Sequence, residues 1–191
     1  MLARKAVWVL SVLVLSSSPG LRAVPLTFEL DPKATTVELT FGATLHTVNG
    51  SLRAKQGTVR INSDTGQASG WIVLDAASAQ TGNARRDRKM HEKILESRRF
   101  PDIVFDVQRV TGKINLTGRS ELQLQGILDF HGDRHTLSLP VVATSDGSRV
   151  TATGSLDIPY VDWGLRDPSF FLLRVDKEVR VTVRAVGRLT G

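Results

Sequence analysis

Hydrophobic and polar residues alternate along most of this chain with a period of two. Val37, Leu39 and Phe41 share one face of 36–41, with Thr36, Glu38 and Thr40 on the other. The same alternation sets Ile103, Phe105 and Val107 against Val104 and Asp106, and Leu122 and Leu124 against Glu121, Gln123 and Gln125. Leu137, Leu139 and Val141 alternate with Thr136, Ser138 and Pro140, and Val179, Val181, Val183 and Ala185 with Arg180, Thr182 and Arg184. Each stretch predicts a strand with one wet and one dry face. Further strands are expected at 48–54, 58–62, 68–76 and 150–158. Turn residues separate them at Ser63-Asp64-Thr65-Gly66 and Ser145-Asp146-Gly147-Ser148, and Val110–Gly118 with its two glycines reads as a hairpin end. Gly50, Gly57, Gly70, Gly126 and Gly154 fall in or beside strand patterns, where glycines mark bulges and bends.

One segment departs from this rhythm. Over Asn83–Glu96, Met90, Ile94 and Leu95 fall on one side at helical spacing, Asn83 suits an N-cap and Asp87 the first turn. A short helix across one end of a sheet is expected there, ended by Phe100-Pro101. The fold class is therefore all-β: eight or nine antiparallel strands with one helical insertion, in a single domain. Periodicity does not separate a two-sheet sandwich from a closed barrel, although a barrel of about eight strands can hold one small ligand.

The first 23 residues follow a different pattern. Arg4 and Lys5 precede the apolar run Ala6–Leu15, and Ser16–Ala23 is small and polar around Pro19-Gly20. This is the order of a secretory signal peptide. It predicts a leader over 1–23, a mature domain over 24–191 and a periplasmic location. The leader holds Arg4, Lys5 and Arg22 and no acid, so its removal lowers the net charge from +6 to +3. Much of the basic character lies in the leader, which argues against nucleic acid as a partner. The chain has no cysteine, which excludes disulfides, thiolate metal sites and thiol nucleophiles.

The remaining charge is concentrated. Arg85, Arg86, Arg88, Lys89, Lys93, Arg98 and Arg99 face only Asp87, Glu92 and Glu96 within the same segment, a net +4. Such a cluster can meet phosphate groups or make transient contact with an anionic membrane surface; alternatively it is a solvated helix face with pairs such as Arg88–Glu92. The candidate ligand-binding residues are the inward apolar side chains Phe41, Ile72, Leu74, Phe105, Leu124, Leu139, Leu156 and Val183. Few of them are large aromatics, so they need not fill a barrel. No His pair has zinc-site spacing, and no nucleophile elbow or phosphate loop is present. A hydrolase or isomerase acting on a hydrophobic substrate would use His46 or His131. An outer-membrane barrel is disfavoured by Glu38, Asp106, Arg180 and Arg184 on the alternate faces. The aromatic stretch Pro159–Phe171 reads as a plug or a lid at one barrel end.

Three motifs carry a family resemblance. Ala79-Gln80-Thr81-Gly82-Asn83, then Arg86-Asp87, Met90 and Phe100-Pro101-Asp102-Ile103-Val104-Phe105, resemble the central signature of the YceI-like family. Leu128-Asp129-Phe130-His131-Gly132 and Asp162-Trp163-Gly164 are similar to two further family segments. The chain departs from the pattern at Lys89-Met90-His91-Glu92-Lys93 and at Asp133-Arg134-His135. The resemblance implies a lipocalin-like barrel that binds a polyisoprenoid or other apolar lipid, such as a quinone-like tail, in the periplasm. It implies a homodimer, a binding role rather than an enzymatic one, and no cofactor. Asn83 and Arg86 become candidates for contact with a ligand head group; alternatively Arg86 and Asp87 pair with each other or with backbone and hold the helix.

Overall fold

The computed structural model describes residues 25–170, 172 and 174–191. The predicted leader and Phe171 of the aromatic stretch lie outside the described residues. Nine strands and one helix follow in chain order: β1 (Leu26–Leu30), β2 (Thr36–Ala43), β3 (His46–Ile61), β4 (Ala68–Gln80), α1 (Ala84–Lys93), β5 (Asp102–Thr111), β6 (Thr117–Phe130), β7 (Asp133–Asp146), β8 (Arg149–Ile158) and β9 (Val179–Thr190).

All pairings between strands are antiparallel, and β3 returns to β4, so the sheet closes on itself. The ring has eight positions although there are nine strands. β2 pairs with β3 over 46–52 and with β9 over 180–184. β1 pairs with the same two strands further along, at 58–61 and 187–190. The two short strands thus lie in line and fill one slot between β3 and β9. Closure removes the free edges that would otherwise pair with other chains.

Two differences from the sequence reading have simple causes. The strands expected at 48–54 and 58–62 are one strand, β3, because the register shift between Ala54 and Gln56 absorbs the extra residue as a bulge instead of breaking the strand. β1 was not anticipated: its five residues are too few for alternation to stand out, and its partners come from 58–61 and 187–190. The expected turns fall between β3 and β4 and between β7 and β8, and α1 starts at the expected cap. The Asn83 side-chain oxygen accepts from the backbone N–H groups of Arg85 and Arg86 at 3.1 and 3.0 Å, satisfying donors that a helix start leaves unpaired.

The buried residues gather at two levels. One cluster, around Val59, Val107 and Val110, lies where β3, β4, β5 and β6 meet. The others lie toward α1: Val37, Leu52 and Ala79 with Met90 and Leu95 packed on them, and Ile158, Tyr160 and Leu165 with Ile94, Leu95 and Trp163. The helix and the segment after β8 therefore close the same end of the barrel, and the aromatic stretch acts there as a plug.

Candidate functional site

The dry strand faces enclose a hollow rather than a solid core. Its volume is about 270 Å³, some twenty times the roughly 10–15 Å³ that a single water needs on the same measure. Every ring strand contributes: Leu39 from β2, Leu52, Val59 and Ile61 from β3, Ile72, Leu74 and Ala76 from β4, Ile103 and Phe105 from β5. The wall also includes Leu122, Leu124 and Leu128 of β6, Leu139 and Val141 of β7, Ala152 and Leu156 of β8, and Val181, Val183 and Ala185 of β9. Where inward residues change parity, the ladder shows an irregularity. Ile103 and Phe105 give way to Val110 across the shift between Val107 and Arg109, opposite Gly126 and Gln125. One inserted residue turns the strand by one face.

The hollow exists because many inward side chains are short. Ala143, Ala152 and Ala185 are direct neighbours across β7, β8 and β9 and all three line it, as do Ala76, Ala79 and Gly154. Among the described residues the aromatic rings in the wall are those of Phe28, Phe105 and Phe130. Among the described residues no lining residue is ionisable. The polar side chains are Asn115, Ser120 and Ser145, at the end away from α1, and all have local partners. Ser120 Oγ accepts from the Asn115 N–H at 2.9 Å, Asn115 Nδ2 donates to the Arg119 carbonyl, and Ser145 Oγ donates to the Leu116 carbonyl at 2.7 Å. These bonds fix the connection between β5 and β6 over that end.

Of the ten candidate residues, seven line the hollow: Ile72, Leu74, Phe105, Leu124, Leu139, Leu156 and Val183. Phe41 does not, although it continues the alternation of Val37 and Leu39; it lies near the end of β2, opposite Val48. Asn83 caps α1. Arg86 is also engaged locally, its Nε donating to Thr81 Oγ1 at 2.7 Å and its Nη2 to the Thr81 carbonyl at 3.0 Å. Asp87 accepts from the Thr81 N–H at 2.9 Å and from Thr81 Oγ1. Arg86 and Asp87 thus hold the turn into the helix together, and neither lines the hollow. Leu95 and Phe28 line it without having been singled out. Leu95 was readable from its helical spacing with Met90; Phe28 sits on the short strand that alternation missed.

The three sequence motifs converge on the closed end. His131 packs on the ring of Phe100 with centroids 4.5 Å apart, and its Nε2 lies 3.5 Å from Glu96 Oε1. His135 stacks on Trp163 at 3.8 Å with the rings 7° from parallel. His91 spans Ser97 Oγ and the Ala79 carbonyl, both at 2.9 Å. His131 and the motif aromatics, together with His91 and His135 from the stretches that depart from the family pattern, hold α1 and the plug onto the barrel. His46 is exposed at the start of β3, and neither it nor His131 lines the hollow. Among the described residues no group of three His, Cys, Asp or Glu side chains is placed to hold a metal ion.

A family model described as the YceI-like domain matches residues 28–187. The chain belongs to the YceI-like family. BcnA of Burkholderia cenocepacia is similar in structure, with a TM-score of 0.66 at 16% identity over 82% of this chain and 98% of that one. A polyisoprenoid binding domain from Saccharophagus degradans, implicated in plant cell wall breakdown, gives a TM-score of 0.64 at 16% identity over 85% and 98%. The Campylobacter jejuni YCEI protein gives 0.60 at 14% identity over 75% and 86%. At these identities the likeness is one of fold. A comparison with curated proteins gives no match. Within this YceI-like barrel the family signature marks the closure of one end and also supplies part of the wall of the hollow, through Ala79, Ile103, Phe105, Leu128 and Phe130.

The plug carries a pH dependence. Tyr160 is buried and its hydroxyl donates to the Asp176 carbonyl at 2.6 Å. Burial, with smaller contributions from the Asp167 and Asp176 carboxylates, pushes its phenol up to about 12. An unfolded tyrosine ionises near pH 10. Between those values the folded chain keeps a proton that the unfolded chain loses. The stabilisation is complete below about pH 10 and declines as the pH rises toward 12. Urea unfolding midpoints measured from about pH 9.5 to about pH 11.5 should fall more steeply for the native protein than for Tyr160→Phe. Parallel slopes would remove Tyr160 as the cause.

Proposed function

We propose that this protein is an exported carrier of a long, uncharged apolar lipid, an isoprenoid or quinone-like chain held inside the barrel. The observation that supports this reading most is a hollow whose lining, among the described residues, contains no ionisable side chain. Each methylene moved out of water gains roughly 0.8 kcal/mol, so a tail of about 20 carbons gains on the order of 15 kcal/mol. The membrane offers the same gain, so a carrier only has to match it closely enough for lipid to enter and leave. A fatty-acid anion is disfavoured, because its carboxylate would lose water without gaining a cation or a set of donors. The polyisoprenoid binding named for the Saccharophagus domain accords with this selection. The periplasm is the compartment proposed from the leader pattern; a homodimer and transient membrane contact belong to the same reading.

Solvent extraction of the purified protein followed by mass spectrometry should release a neutral lipid in near-stoichiometric amount. Refolded, lipid-free protein should take up a polyisoprenoid at least tenfold more tightly than a fatty acid of similar length, a difference of about 1.4 kcal/mol or more. Lipid-free extracts together with no uptake after refolding would refute carriage. Preference for the fatty acid would refute the proposed selection.

A further inference from the structure

The closed end of the barrel has an outer surface that neither the hollow nor the packing of the plug explains. Five large hydrophobic residues are exposed among the described residues, and three of them lie on two adjoining loops at this end: Leu45 at 89% exposure, Phe170 at 79% and Leu172 at 73%. Single exposed leucines are ordinary, but neighbouring ones on two different loops are not. Leu45 stands at the tip of the two-residue turn between β2 and β3, where polar or small residues are usual. The loop bearing Phe170 and Leu172 is tied to that turn. Thr44 Oγ1 donates to the Leu172 carbonyl at 3.2 Å, Thr44 N–H donates to the Arg174 carbonyl at 2.9 Å, and the Arg174 N–H donates to Thr44 Oγ1 at 2.6 Å. The Gly42 N–H donates to Asp176 Oδ2 at 2.7 Å just behind. These bonds hold the two loops beside each other.

The same end carries the cations of α1. Gly50 of β3 lies against Gln80 and Thr81, which places the start of the helix beside the stem of the Leu45 hairpin. Arg85, Arg88, Lys89 and Lys93 are exposed, and none of them forms an ion pair among the described residues. Glu92 is the single acid on that outer helical face, and the pairing Arg88–Glu92 is not formed. Asp162, Asp176 and Glu178 are exposed on the plug side, where Arg166, Arg174 and Lys177 offset them, so the excess positive charge lies on the helix.

We propose that this end is a membrane-docking surface. Leu45, Phe170 and Leu172 insert at the acyl boundary while Arg85, Arg88, Lys89 and Lys93 meet an anionic headgroup layer. Charge complementarity selects this occupant: apolar side chains beside unpaired cations suit an interface with apolar depth and negative surface. The proposal rests on the lipid-carrier reading for its purpose, not for its geometry. It gives the carrier a fixed orientation when it exchanges cargo.

The test is flotation of the purified protein with vesicles of phosphatidylcholine containing 30% phosphatidylglycerol, and with phosphatidylcholine alone. Binding to the anionic vesicles is expected, falling at least tenfold when salt rises from 50 to 300 mM. The quadruple change Arg85→Gln, Arg88→Gln, Lys89→Gln and Lys93→Gln should lower binding by at least tenfold, since each cation near such a surface contributes about fivefold. The triple change Leu45→Ser, Phe170→Ser and Leu172→Ser should do the same with little change in salt dependence. Both sets lie on the exposed surface, and circular dichroism checks that each variant folds. Equal binding to neutral vesicles, no binding to either, or binding indifferent to both variants overturns docking. Capture of an acidic protein without vesicle binding overturns it as well. Polyisoprenoid uptake from detergent solution is measured on the same variants: intact uptake with lost flotation separates docking from carriage, and flotation without uptake leaves docking standing while carriage falls.

Discussion

Ala152→Phe is expected to reduce polyisoprenoid binding by at least tenfold while the barrel still folds. Ala152 lies on β8 between Ala143 of β7 and Ala185 of β9. Together they form the row of short side chains over which the hollow is open. A phenyl ring there occupies space that the tail needs, and it adds apolar contacts to a wall that lacks them. Overpacking a full core costs about 1–3 kcal/mol, but this substitution grows into space that is empty, so the unfolding midpoint should change little. Thr153→Phe is the control, because Thr153 is exposed and points to the other face. Equal lipid binding by Ala152→Phe and the native protein would mean that the cargo does not occupy the hollow.

A large stability effect is expected at Gly126. A Cβ added there would lie 2.1 Å from the Asp106 carbonyl oxygen, 3.0 Å from its carbon and 3.0 Å from the Phe105 ring. These are backbone atoms of the partner strand and a ring in the cavity wall, so no flexible side chain can yield. Relief requires β5 and β6 to separate beside the irregularity between Val107 and Arg109. Gly126→Ala should therefore destabilise the protein by about 3 kcal/mol or more, at the upper end of single-residue effects. At about 2–4 °C per kcal/mol for a chain of this size, the melting temperature should fall by roughly 10 °C. Gly82 provides the contrast. Its φ is +76°, but nothing lies within 4 Å of an added Cβ, so Gly82→Ala meets only backbone strain and should cost about 1–2 kcal/mol. Similar losses at both positions would show that the close approach of β5 and β6 is not what demands glycine at 126.

Arg86 shows how a side chain's chemistry can be legible while the choice between its two possible roles is not. Its charge and its place in the family signature made it a candidate for a ligand head group, yet its guanidinium is spent on Thr81. The requirement to fix the turn between β4 and α1 comes from a strand that must stop where the helix crosses the barrel end. Phe41 is a related case. Its alternation with Val37 and Leu39 places it on the dry face, but β2 runs past the region enclosed by the ring. Alternation reports which face a residue takes, not how far along its strand the enclosure reaches. The helix, in contrast, was readable down to its cap, because Asn83 acts through atoms two and three residues away.

By itself, the amino-acid order determined the local features: the alternating strands, the helix with its capping asparagine, the turns after β3 and β7, and the inward face of most strands. These depend on interactions among near neighbours, which a single stretch of sequence records. Only the tertiary structure decided that β3 pairs with β4 to close the ring, that β1 and β2 share one slot, and that Ala143, Ala152 and Ala185 lie side by side. The physical reason is that an empty interior is a property of opposing walls. Whether side chains meet across it depends on the diameter that eight staggered strands impose, and no single strand carries that distance.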